Sequence, residues 1–130
     1  MAARSSRPES EAQGLDRLRK RSDFLRAARG IRRVTPGLTL EICDNGESGT
    51  VRVGFTATRK IGGAVVRNRA KRRLRAAAAA VLPAAGRAGT DYVLVARPAT
   101  VGRPFESLKS DLVQALAAAH LKADRSGETR

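Results

Sequence analysis

Hydrolytic or group-transfer chemistry needs a nucleophile beside a base, a pair of carboxylates, or a metal-binding cluster. This sequence assembles none of them. His120 is the only histidine and Cys43 the only cysteine, with no histidine near it in the chain. Cys43 is expected to serve as a small apolar strand residue, and His120 to lie partly exposed and inert on a packing helix. Acidic residues cluster only in the tails, in the turn-rich stretch 44–49 and in the last helical pattern. Gly62-Gly63 lacks the full spacing of a nucleotide-binding loop and is explained by a strand-to-helix break. By itself the chain is expected to catalyse nothing, with no catalytic or metal-ligating residue and no cofactor of its own.

The chemistry that remains is anion recognition. Between Ser48 and Thr90 there is no Asp or Glu, yet ten cations fall there, eight of them in Arg59-Lys60 and Arg67, Arg69, Lys71, Arg72, Arg73 and Arg75. A solvated helix face usually mixes signs; like charges this dense repel by a few tenths of a kcal/mol per pair of helix neighbours, roughly. A polyanion is the natural compensation. A second cluster, Arg17, Arg19, Lys20 and Arg21, precedes Phe24. Phe24 suits either a core position or a platform for an unpaired base.

These cations need a scaffold. From Ala64, the residues Val66, Ala70, Leu74, Ala77 and Val81 form one stripe at helical spacing. This predicts a helix greasy beneath and cationic above, ending before a loop at Pro83–Thr90. A short helix from Asp23 to Arg29, capped by Ser22, precedes it. Alternating Leu38–Cys43 and Val51–Phe55 predict two half-buried strands in an antiparallel hairpin, and Ile31–Val34 offers a further short strand. Tyr92–Ala96 is a continuous apolar run suited to an interior strand. Pro104 opens a last amphipathic helix, with Phe105, Leu108, Leu112, Ala115 and Ala119 inward and Leu116 and Leu121 extending that face. The strand-helix-strand unit from Val51 to Ala96 is a crossover, right-handed by the general rule.

The 130 residues make one domain, read as residues 15–122 between disordered tails at 1–14 and 123–130. Net charge is +14. Arginine outnumbers lysine, which suits bidentate phosphate recognition and equally a compositional bias. A single cysteine and the lack of a membrane-spanning apolar run point to a reducing, cytoplasmic location without membrane contact.

The stretch Thr58-Arg59-Lys60-Ile61-Gly62-Gly63-Ala64-Val65-Val66-Arg67-Asn68-Arg69-Ala70-Lys71-Arg72-Arg73-Leu74-Arg75 resembles the arginine-asparagine-arginine signature of the protein subunit of bacterial ribonuclease P. Arg21–Phe24, Val51–Phe55 and Asp91–Arg97 stand where that family has its flanking segments, so the resemblance runs from about Leu15 to Leu121. It implies an α/β (α+β) two-layer sandwich in the order α-β-β-β-α-β-α, with a left-handed β-α-β crossover in place of the right-handed one. It further implies a ribonucleoprotein endonuclease that removes the 5′ leader of precursor tRNA. The RNA subunit would perform the hydrolysis with Mg²⁺, and no protein partner would be required.

Carried over by position, Lys60, Arg67, Asn68, Arg69, Lys71, Arg72 and Arg75 are expected to meet the catalytic RNA, and Phe24, Tyr92 and Arg59 the leader; Tyr92 suits the core equally. One helical turn after Phe24, many members have a second aromatic where this chain has Ala28. Leader grip is therefore expected to lean on charge more than on stacking.

Overall fold

The central strand of the sheet is its most apolar one. The computed structural model of the protein describes residues 15–45 and 50–128. In chain order they form β1 (Leu15–Arg17), α1 (Arg21–Ala28), β2 (Ile31–Val34), β3 (Leu38–Asp44) and β4 (Val51–Thr56). A single 3₁₀ turn (Arg59–Ile61) leads into α2 (Ala64–Ala85), then β5 (Thr90–Ala96), another 3₁₀ turn (Pro98–Thr100) and α3 (Phe105–Glu128). The five strands lie in the order β1-β4-β5-β3-β2. Because β5 is buried along Asp91–Leu94, it requires neighbours on both edges and layers on both sides.

That requirement corrects the hairpin expected of β3 and β4. They are not neighbours: β5 inserts between them, antiparallel to β3 and parallel to β4. Strand patterning was right, since Leu38, Leu40 and Ile42 and Val51 and Val53 face one core. Pairing depends on which strand most needs covering. The crossover through α2 does join parallel neighbours, β4 and β5. β2 forms as anticipated on β3. β1, absent from the expected order, pairs in parallel with β4 at the sheet edge.

Alternation along the strands separates two faces. Leu38, Leu40, Ile42, Val51, Val53, Tyr92, Leu94 and Ala96 pack beneath α2 and α3. Val93, Cys43 and Val95 turn the other way, toward α1, where they meet Leu18, Phe24 and Ala27. In α2 the predicted stripe is buried at Ala70, Leu74, Ala77 and Val81, joined by Leu82. Each such leucine contributes about 1.5–3 kcal/mol by leaving water. Val66, in the first turn of the helix, stays exposed.

Several ends differ from expectation. α1 begins at Arg21 with no side-chain cap, so Ser22 lies inside it. Pro83 is helical rather than the start of a loop. Its missing N–H frees only the carbonyl of the exposed Ala79, which water can satisfy, while Gly86 N–H closes the last turn on Leu82 O at 2.8 Å. α3 continues through 123–128, where a frayed tail was expected, while Leu121 stays exposed. The expected N-terminal tail, 1–14, and turn residues 46–49 lie outside the described residues. Among the described residues no helix is long and apolar enough to cross a membrane.

Candidate nucleic-acid interface

Gly62 sets the angle at which the cationic helix leaves the sheet. Its φ of 143° is a value that residues with a Cβ avoid, and a Cβ there would come within 2.9 Å of the Val66 Cβ. The 3₁₀ turn carries Arg59 and Lys60, both exposed, and α2 follows directly. With Leu74 and its stripe pinned to the sheet, helical geometry turns Asn68, Arg69, Arg72 and Arg75 to solvent.

The electrostatics of this ridge are decided by where the carboxylates go. Among the described residues the ion pairs are Arg26 with Asp23 and Asp91, Arg52 with the same two acids, Arg87 with Asp124, Arg103 with Asp111 and Lys109 with Glu106. Arg59, Lys60, Arg67, Arg69, Lys71, Arg72 and Arg75 take part in none of these. Arg67 Nε is buried with no hydrogen-bond partner among the described residues. Arg33 Nε on β2 is buried and unpartnered in the same way, so this feature does not by itself mark the ridge. Val65, Asn68, Lys71, Arg72 and Arg75 line an open groove of about 510 Å³ along the ridge. Arg75 also lies over the Phe55 ring, 5.5 Å from its centroid, a cation–π contact that steadies its guanidinium.

Not every cation of the run belongs to this surface. Arg73 is turned inward, donating from Nε to the Thr100 carbonyl at 2.9 Å and from a terminal amino group to the Arg103 carbonyl. It ties α2 to the segment before α3.

Phe24 lies across the sheet from the ridge, on the α1 side. A Cβ at Gly54 would come within 2.5 Å of the Phe24 ring, so the absent side chain of Gly54 is what lets the ring approach the strand. The ring is half-buried, one part on Leu18, Val93 and Ala27 and the rest open. Arg17, Arg19, Lys20 and Arg21, just before it, are all exposed.

The network that seats α1 is legible only in three dimensions. Asp91 has no exposed surface and accepts two hydrogen bonds from Arg52, at 2.7 Å each, one from Asn45 at 2.9 Å and a longer one from Arg26 at 3.4 Å. Burial alone would raise its pKa; the hydrogen bonds from Arg52 and Asn45 and the Arg52 charge outweigh it and hold the carboxyl below the ordinary range. Arg26 also bonds Asp23 at 2.9 Å, so α1 is clamped to β4 and β5 by two acids and two guanidiniums. A glycine and an arginine alternating with the apolar residues of β4 were the available signal, but their partners come from register.

Two aromatic and histidine expectations are corrected. Tyr92 has no exposed surface, so its ring offers nothing to a leader base. It sits on the α3 side of the sheet, where its hydroxyl accepts from the Arg87 backbone N–H at 2.8 Å and shares a hydrogen bond of 2.6 Å with His120 Nε2. His120 is therefore a buried partner rather than a partly exposed bystander. Burial, then the nearby Arg87 charge, lower its pKa. Cys43 is half-buried in β3, as a small strand residue should be.

A one-domain α/β protein with a cationic helix left unneutralised among the described residues is a defined class. Comparison with known proteins narrows it: the Ribonuclease P family profile matches residues 13–120, and the chain belongs to that family. It is 52% identical over 112 residues to the ribonuclease P protein component of Ruegeria pomeroyi, covering 84% of this chain and 90% of that one. With the component from Paramagnetospirillum magneticum it shares 48% over 111 residues, 81% and 83% of the two chains. Among solved structures, the Staphylococcus aureus RNase P protein superposes with a TM-score of 0.66 at 26% identity, covering 79% of this chain and 94% of that one. The Thermotoga maritima RNase P protein gives 0.66 at 26%, covering 78% and 94%.

Proposed function

We propose that the protein is the RNA-binding, non-catalytic subunit of a ribonuclease P ribonucleoprotein, acting in removal of the 5′ leader from precursor tRNA. The observation that carries this is the ridge of seven cations on the 3₁₀ turn and α2, which has no carboxylate partner among the described residues. Lys60, Arg67, Asn68, Arg69, Lys71, Arg72 and Arg75 bind the catalytic RNA through phosphate contacts. Asn68 adds an amide that can accept as well as donate.

Arg59, on the turn that opens α2, also serves the leader, while Phe24 and the cations before α1 hold it from another surface. Their position across the sheet from α2 supports a division of labour: one polyanion on each side of a thin positive body, with their mutual repulsion reduced. The Asp91 network holds Phe24 in place without touching RNA. The hydrolysis belongs to the RNA. Mg²⁺ held by that RNA would supply a metal-activated water and charge stabilisation for the leaving oxygen. The protein contributes charge and position, and no three His, Cys, Asp or Glu residues converge on one point among the described residues to hold a metal themselves.

The test is reconstitution with the cognate RNA at low Mg²⁺. Arg67→Ala should weaken assembly with the RNA, whereas Phe24→Ala should leave assembly intact and weaken only binding of leader-bearing substrate. Failure of the protein to accelerate 5′ processing would reduce it to a general RNA binder, and a preference for duplex without dependence on an unpaired leader would make it a DNA-compacting protein.

A further inference from the structure

A second groove lies on the other flank of α2, and its lining differs in kind from that of the ridge. Arg69, Arg72, Arg73, Ala76, Val101 and Phe105 enclose an open space of about 400 Å³ between α2 and the start of α3. That is near the lower end of the roughly 300–1,000 Å³ usual for sites that take one small ligand. Its floor is apolar, with Phe105 and Val101 half-buried and Ala76 exposed.

Two of its guanidiniums, Arg69 and Arg72, are exposed and without an acid partner among the described residues. The third, Arg73, is immobilised by its bonds to the Thr100 and Arg103 carbonyls, so one wall is set before any ligand arrives. Lys109 lies over the Phe105 ring, 5.3 Å from its centroid. The nearby carboxylate, Glu106, is engaged by that same lysine at 3.1 Å.

We propose that this groove seats one unpaired nucleotide of the RNA bound by the ridge, its base against Phe105 and Val101 and its phosphate on Arg69 and Arg72. The inference rests on the reading of α2 as an RNA-binding helix and adds what that helix reads. A paired helix presents phosphates to arginines but keeps its base faces stacked inside, so it would leave the apolar floor wet. An extruded base covers that floor, and every base has a face to offer. An uncharged lipid surface or an apolar peptide would use the floor but leave the Arg69 and Arg72 guanidiniums unanswered. The site lies on the α2 and α3 side of the sheet, away from Phe24, so it is separate from the leader surface.

The experiment measures affinity for the catalytic RNA, its salt dependence, and chemical probing of unpaired nucleotides in the reconstituted holoenzyme. Phe105→Leu keeps bulk beside the core while removing the ring, and Phe105→Tyr keeps the ring. Phe105→Leu should weaken RNA binding by about fivefold or more, the loss of one base–aromatic contact. Its salt slope should be unchanged, because no phosphate contact is removed. Protection of one or a few unpaired nucleotides should vanish, and Phe105→Tyr should restore it.

Ala76→Gln, on the exposed side of α2, fills the groove without altering charge or core. It should weaken binding likewise and decides the matter if Phe105→Leu melts early. Wild-type affinity in Ala76→Gln, or protection confined to paired segments, overturns the proposal. Arg67→Ala separates the two levels: if it weakens binding while the groove variants do not, the groove assignment alone fails; if none of them weakens binding, the ridge assignment fails as well.

Discussion

Single side chains account for the sharpest consequences. Asp91 is buried among groups that each need it charged, so Asp91→Asn leaves Arg52 and Arg26 facing an amide instead of an anion. A loss of roughly 2–4 kcal/mol is expected, somewhat relieved by the solvent access of Arg26. Urea unfolding of the variant would measure it, and a loss below about 0.5 kcal/mol, typical of ordinary surface substitutions, would show the network to be incidental.

His120 makes the fold sensitive to pH in one direction. Its folded pKa lies below the unfolded reference near 6.5, so the unfolded chain binds the extra proton first and folding favours the neutral ring. That contribution is fully present above about pH 6.5 and is lost as pH falls through the folded value. The thermal midpoint should therefore drop between pH 7.5 and 5.5, and the drop should shrink in His120→Gln. Asp91 and Asp124, whose pKa values are lowered, lose their contributions only below their ordinary value of 3.8.

At the scale of the element, α2 is positioned from below and from its start. Leu74 has no exposed surface in the middle of the stripe. Leu74→Ala should cost about 2–5 kcal/mol and loosen the ridge with it. Gly62→Ala tests the entry angle instead. A positive φ and a 2.9 Å approach to Val66 oppose it, so stability should fall by about 1–3 kcal/mol, read by thermal unfolding. RNA affinity should fall by more than the population of unfolded protein explains, since the whole ridge is re-aimed. If affinity simply tracked the folded fraction, Gly62 would matter to folding and not to aim.

The molecule as a whole behaves as a compact positive body, with a net charge of +14 on 130 residues. Each phosphate contact should contribute about −0.7 to −0.9 to the slope of log affinity against log salt, so six contacts to the leader give roughly −4 to −5. With Tyr92 in the core and Ala28 exposed where a second aromatic is common in the family, Phe24 is left as the stacking candidate on the α1 side. A leader slope shallower than about −2 would mean that stacking or base contacts, rather than charge, hold the substrate.

Much of this was open to reading in the chain itself. Residues whose role depends on their own helix or strand were identified by period and type: the Ala70–Leu74–Ala77–Val81 stripe, the cations on its far side, the interior character of Tyr92–Ala96. Periodicity reports which face a residue shares, and that is a local property. It does not report which strand lies alongside, so β5 between β3 and β4, the pairing of Arg52 with Asp91, and the burial of Tyr92 against His120 came only with the tertiary structure. The same limit applied to Arg73 and Arg72, adjacent in sequence and identical in charge. One is bound to the carbonyls before α3 and the other is open to solvent, and only the packing of α3 against α2 separates them.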